Sequence, residues 1–463
     1  MLIERIFRRG LTIPTFRSAV LPTGSTLHRI DENFTPAVEA QPDFNVTELA
    51  HSVKLRGLTD VFDSGFFEHM TKQSREVCDY KQEIERLETR RQNLHTEFQE
   101  ASKIGDEGRL AHLRAASKRI KEAKNRCKEL HRNLSFSLME DLLRLPNKLR
   151  ETESALPSES WFGDTSKSTV LPSGAIKAAD LDDLTVYKDC GTYFTGKLAA
   201  FTQEMSGLLA LLGREVESML GIMPRRCALS DLVRLPVAEA CAWTPSLDEV
   251  IQLEHTKDDI LIPNEGGQPL INPYTRLCLV GSASLAAFVG SFFGCCLDKE
   301  CPLPLQFLTL GNIYTYASGA KSPMLYPFKQ TRQVSLFCLE PDEKASADTF
   351  DKLAATISQF WSKSQPHWRL RLRAVPVEEL RRCEIALWSL ALVECGKPDI
   401  ELARISLLGD WVSRRAGFKT FDGSFPFMVF SDLINFDNLL AAIRASGSYL
   451  PTYKDCACKR NSV

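Results

Sequence analysis

The sequence is short of net charge. Its 57 basic side chains stand against 59 acidic ones, a formal −2. A uniformly basic nucleic-acid coat is thereby excluded, and any RNA contact must come from a local cationic surface. It also lacks a CxxC pair. Its fourteen cysteines are spread along the chain, clustering only at Cys295-Cys296, Cys301 and Cys456-Ala-Cys458, with no histidine at ligand spacing. That pattern argues against zinc and for reduced cysteines acting as small apolar residues, so no metal and no cofactor is expected.

Charge is also missing from Leu277 to Leu297, a stretch about long enough to cross a bilayer. Gly281, Gly290 and Gly294, with Ser282, Ser284 and Ser291, fit a buried strand-and-helix passage better, so no membrane span is expected. What is present is ordinary for a globular chain: 44% apolar and 25% charged residues over 463 positions, enough for two or three domains.

The first twenty residues carry Arg5, Arg8, Arg9 and Arg17 against Glu4 alone. Leu2, Ile3, Ile6 and Phe7 share a helical face. This arginine-rich, acid-poor pattern is that of a mitochondrial presequence, although an ordinary basic tail has the same composition. The expectation is a presequence over 1–40 and a mitochondrial, matrix location.

From Met70 to Leu145 there is no proline, and glycine occurs only at Gly105 and Gly108. Val77, Tyr80, Ile84, Leu87, Arg91, Leu94 and Phe98 recur by threes and fours. After the Ile104–Gly108 break the pattern resumes as Leu113, Ala116, Ile120, Ala123, Cys127, Leu130 and Leu134. Two matched seams around a glycine-flanked turn predict an antiparallel two-helix coiled coil. The second arm is the basic one, with nine cationic side chains against four acidic between 104 and 136. Arg114, Lys118, Lys121, Lys128 and Arg132, with Arg109 near the turn, are the candidate RNA contacts, since neutralising phosphates releases counterions. A solvated coiled-coil face is the plainer reading of the same charges.

The Ser/Thr/Pro/Glu-rich stretch 149–175 reads as a linker. The body beyond it is mixed: a helix through Leu198–Met219, strands at Leu303–Thr309 and Val334–Leu339, and helices at Phe350–Trp361, Ala386–Val393 and Asn438–Ala445.

Three segments carry a resemblance. Leu143-Arg-Leu-Pro-Asn147 is similar to the exit from the helical arm of seryl-tRNA synthetases. Leu303-Pro-Leu-Gln-Phe307 is similar to that family's Leu-Pro-Leu-Arg-Tyr strand, and Asp410-Trp-Val-Ser-Arg-Arg415 to its Asp-Phe-Gln-Ala-Arg-Arg segment. With the order of parts, the chain resembles the seryl-tRNA synthetase family, and most of all its catalytically degenerate insect mitochondrial members. The resemblance implies an α+β fold: an arm domain over 41–148, then, over 176–455, a class II synthetase-like antiparallel sheet flanked by helices.

It also implies where serine activation would reside. The family's serine-gripping Thr-x-Glu is matched by Ser282-Ala283-Ser284. The arginine and glutamate of motif 2 fall on Thr315 and Ala317, and a later glutamate on Ser335. The serine-binding asparagine falls on Val429 and the motif 3 arginine on Asp437. The motif 1 proline falls at Ala228 or Ser230. Lys329, Gln330, Glu401, Arg414 and Arg415 persist; Glu401 could in principle ligate Mg²⁺, but a structural salt bridge is favoured for it and for the two arginines. Taken together, these losses imply a protein that is not an enzyme and binds no ATP. It would bind tRNA(Ser) through the arm and work as a dimer with a second copy or as a partner of the active mitochondrial seryl-tRNA synthetase. A divergent active ligase and a structural interaction protein without RNA are the alternatives.

Overall fold

The computed structural model describes residues 46–150, 158–163, 177–178, 181, 185–188, 191–241, 251–253, 261–262, 270–271, 277–314, 330–394 and 396–448. The presequence stretch 1–40 and the positions Thr315, Ala317 and Lys329 lie outside these residues. The chain divides into two units, one within Leu21–Pro146 and the other formed by Asn147–Val463.

The first unit is helical. A short helix α1 (Val46–Leu55) precedes α2 (Ser64–Ile104) and α3 (Glu107–Arg144), which pair along their length. The turn between them is built as its residues dictate. Gly105 takes the left-handed conformation at φ 77° and returns its N–H to the Ala101 carbonyl, 3.0 Å. Asp106 then caps α3 by accepting from the Arg109 N–H, 3.0 Å, as Asp63 caps α2 through the Phe66 N–H, 2.8 Å. At about 1.5 Å per residue each helix extends roughly 60 Å.

Along α2 the buried positions are Met70, Gln73, Val77, Leu87 and Ala101; on α3, Leu113 and Ile120 face them. Beyond Ile120 the seam departs from the apolar pattern. Ala123 and Leu130 are exposed, while Lys124, Cys127 and His131 are half-buried, leading to Leu134 and the buried Leu138. Lys124 reaches across to the Glu88 carboxylate, which also accepts from Arg91 at 2.6 Å. Burial, aided by Lys81, holds the His131 imidazole below its usual range. At the root, Val53 and Phe62 pack with Met70, Val77, Leu138 and Leu145.

The second unit is organised by an eight-stranded sheet. Its strands are β1 (Glu159–Phe162), β2 (Arg225–Arg226), β5 (Leu305–Tyr314), β6 (Gln330–Glu340), β7 (Leu370–Ala374), β8 (Ala386–Leu392), β9 (Ile400–Gly409) and β10 (Phe427–Asn435), in the order β1-β7-β8-β9-β10-β6-β5-β2. All neighbours are antiparallel except β2 and β5. A smaller sheet joins β3 (Leu232–Arg234) and Ile251–Gln252 to β4 (Leu277–Leu279). The stretch read as a linker thus contains a strand at the edge of the large sheet.

Ala386–Leu392, expected to be helical, is the strand β8. Its run Ala-Leu-Trp-Ser-Leu-Ala-Leu is apolar on nearly every residue because a central strand is covered on both faces, and this erases the alternation that marks a strand. The charge-free stretch is β4 followed by the short helix α5 (Leu285–Phe292), and among the described residues no helix is long and apolar enough to cross a membrane.

One face of the large sheet packs against α4 (Gly196–Leu220), α6 (Glu343–Ser364) and α8 (Phe436–Ser446), burying Trp361, Trp368, Trp388, Phe350 and Phe436. The other face is divided. One part packs under α5 and α7 (Trp411–Ala416), where Phe337 stacks on Phe288 at 4.2 Å and on Phe430 at 5.1 Å. The remainder is polar.

Candidate functional site

In an antiparallel pair, directly opposite residues project to the same side. The pairings Thr309 with Ser335, Ser335 with Asp432, Asp432 with Arg404 and Arg404 with Ser389 therefore place one polar row across five strands, on the side that carries Phe337 and Phe430. Gln333 donates to the Ser335 hydroxyl at 2.9 Å and to the Asp432 carboxylate. Glu384, which is fully buried, accepts from Ser406 Oγ at 2.8 Å and from the Arg381 backbone N–H at 2.8 Å. Glu401 accepts from Ser389 Oγ, 2.8 Å. Arg404 lies between them, Nη2 3.8 Å from Glu384 and Nη1 3.7 Å from Glu401.

Arg381 belongs to the same cluster: burial first, then Arg404, lowers its guanidinium pKa, while Glu384 and Asp432 act the other way. Burial pushes the Asp432 carboxyl up to about 7 against the pull of Arg381 and Arg404. Its folded pKa lies above the unfolded value near 3.8, so its stabilising contribution is complete below pH ~4 and is lost as pH rises through ~7. Glu340, raised to about 7 by burial, and Asp437, raised to about 6 by burial, act in the same direction. Urea midpoints measured from pH 5 to 8 are expected to fall with pH, and Asp432→Asn to flatten part of that fall. An unchanged profile in the variant counts against the shift.

The structure separates the other expected positions. Ser284 caps α5, accepting from the Ala287 N–H at 3.1 Å and donating to the Gly281 carbonyl at 2.7 Å. The Ser282 N–H donates to Asp231 Oδ1, 2.6 Å. This turn lies against β5, the Ala283 N–H bonding the Asn312 carbonyl at 3.1 Å. Ser335 is buried in the polar row. Val429 is not in it: it packs with the helices on the opposite face of the sheet. Asp437 is buried in the first turn of α8, its N–H donating to Asn435 Oδ1 at 3.1 Å.

Arg414 pairs with Asp410 through Nε, 2.7 Å, and Arg415 lies buried over the Trp411 ring, so both are structural. Glu401, expected in a structural salt bridge, is ion-paired with Arg404, Nη1 3.7 Å away, within the charged row. Asn147 has a clear task, donating to the Cys383 and Leu408 carbonyls at 2.8 Å each.

On the arm, Arg114, Lys118, Lys121, Lys128 and Arg132 are all exposed and follow one face of α3, with Arg114 over the Phe98 ring at 5.7 Å. Arg109 is exposed too, but at ~100° per residue it lies about 140° around the helix from Arg114, off the stripe.

Magnesium, which the resemblance brings with it, does not fit this donor set. Among the described residues no group of three or more His, Cys, Asp or Glu could hold a metal ion, and the Arg404 guanidinium stands beside Glu401.

No family model and no curated protein sequence matches the chain. Solved structures do. The cytoplasmic serine-tRNA ligase of Naegleria fowleri, in complex with AMP, superposes with a TM-score of 0.62 at 14% identity, covering 86% of this chain and 90% of that one. The seryl-tRNA synthetase of Pyrococcus horikoshii, complexed with ATP, superposes with a TM-score of 0.61 at 15% identity, covering 87% and 92%.

The expectation that this chain is not an enzyme is corrected here. The structures it is similar to are of nucleotide-bound ligases. Moreover, two arginines, Arg381 and Arg404, act electrostatically on Asp432 of the polar row. They lie outside the segments matched to the family's motif 2 and motif 3 arginines. The eight-stranded sheet, its flanking helices and the paired helices of the arm together make the fold of this chain that of a class II seryl-tRNA synthetase.

Proposed function

We propose that the chain is a synthetase-type ligase of mitochondria acting on tRNA(Ser), working as a dimer with a second copy or with the mitochondrial seryl-tRNA synthetase. The observation that carries this reading is that arm and sheet occur in one chain, in the same order and over almost the full length of two seryl-tRNA synthetases. The exposed cationic stripe of α3 supplies a surface for tRNA phosphates. The charged row supplies both signs that amino-acid activation needs: guanidinium groups for phosphate oxygens and the partly exposed Glu401 carboxylate for a substrate ammonium. Held in place by Ser389, Glu401 costs little reorganisation when charge develops.

The test is serine-dependent ATP–pyrophosphate exchange by the purified chain, followed by charging of mitochondrial tRNA(Ser). Exchange above a no-serine control, and loss of it in Glu401→Gln, is the expected result. A pure protein that neither exchanges nor charges removes the ligase reading, whatever its tRNA affinity. Import of a reporter carrying residues 1–40 tests the location.

A further inference from the structure

Arg404 is ion-paired with Glu384 and Glu401, whose carboxylates also hold other partners, but it is hydrogen-bonded to neither. Both Glu384 oxygens accept bonds, from Ser406 and from the Arg381 N–H, and Glu401 Oε2 is taken by Ser389. The two carboxylates are 3.8 and 3.7 Å from the Arg404 nitrogens, beyond hydrogen-bond reach. Arg404 Nε is buried and meets no acceptor among the described residues. A guanidinium presents five N–H donors in a planar fork, and this one, with only 23% of its side chain exposed, spends none of them on a described residue. Such unspent donors call for a ligand with paired, negative oxygens, the chemistry of a phosphate.

We propose that Arg404 anchors a phosphate group of a nucleotide on the polar face of the sheet and supplies there the positive charge that a divalent cation would otherwise bring, so that the nucleotide binds without metal. The inference rests on the synthetase-type reading and adds to it the residue that meets the phosphate and the independence from metal. A divalent cation at Glu401 would stand against a fixed guanidinium 3.7 Å away, and the two would repel. The phosphate instead gains a bidentate partner that needs no metal-ligand geometry.

Calorimetric titration of the full chain with ATP, once in EDTA and once with Mg²⁺, reads this directly, with inorganic phosphate as a parallel titrant. ATP is expected to bind in EDTA with a Kd within about threefold of the Mg²⁺ value. Arg404→Gln is expected to weaken it about tenfold or more, as is Arg404→Lys, which keeps the charge but loses the fork. Arg404→Lys also serves if the glutamine variant fails to fold. ATP binding that requires Mg²⁺ overturns the inference and leaves the synthetase reading standing. No ATP binding in either condition overturns both. Inorganic phosphate binding as tightly as ATP overturns the nucleotide assignment, and equal affinity of wild type and both variants overturns the role of Arg404.

Discussion

Reversing the cationic stripe of α3, with Arg114, Lys118, Lys121 and Lys128 each changed to Glu, is expected to lower the affinity of the full chain for mitochondrial tRNA(Ser) by about 100-fold or more. All four side chains are exposed on one helical face, so the change would remove the four proposed phosphate contacts and substitute repulsion, the seam losing only the contact of Arg114 with the Phe98 ring. Each neutralised phosphate contributes between about 0.7 and 0.9 to the salt slope, so the dependence of log affinity on log salt is expected to flatten by about 3. Filter binding between 50 and 200 mM salt measures both quantities. Arg109→Glu, off the stripe, is expected to do much less. Unchanged affinity in the fourfold variant removes the arm from tRNA recognition. A large loss with an unchanged salt slope would show that these four cations do not neutralise phosphates.

The second large effect is on stability. Gly281 has φ +91°, and a Cβ there would lie 2.1 Å from the Asn312 carbonyl oxygen and 2.7 Å from the Ile313 Cα. Both obstacles are backbone of β5, itself paired along its length with β6, so neither can swing aside. Opposite it, Gly311 is crowded too, since a Cβ there would lie 2.3 Å from the Ser282 hydroxyl and 2.9 Å from the Ala283 backbone nitrogen. Gly281→Ala is therefore expected to cost about 3 kcal/mol from strain and displaced backbone. A lowered urea midpoint with an unchanged slope is the signature. A shift within about 0.5 kcal/mol would show that the turn can withdraw from the strand.

The sequence displayed the arm most clearly, because the seam of α2 and the Gly105-Asp106 turn follow local rules that three or four residues satisfy on their own. The second seam drifted for a physical reason. Ala123 and Leu130 satisfy an apolar pattern, but the helix turns Lys124 and His131 inward, and the cross-arm carboxylate that receives Lys124 cannot be read from spacing. Strand β8 was hidden by being buried on both faces. The charged row was hidden more completely. Arg381, Glu384, Glu401, Arg404 and Asp432 come from three separate passages of the chain, brought together only by the antiparallel pairings. The resemblance to family motifs placed the expected arginines at Thr315 and Asp437, on other stretches of the chain. Val429 shows the converse error: a residue matched by position in a motif packs on the far side of the sheet, one step in the side-chain alternation from Phe430.

The Lys124–Glu88 link also decides how the two long helices may zip. Had the hairpin only aliphatic neighbours, sliding one helix past the other by seven residues would trade like for like. With Lys124 inside, that slide sets its ammonium against Lys81 in one direction and His95 in the other, neither of them an acid. One ionic tooth thus disfavours both heptad slips and holds the cationic face of α3 at one height along α2 for whatever polyanion it meets.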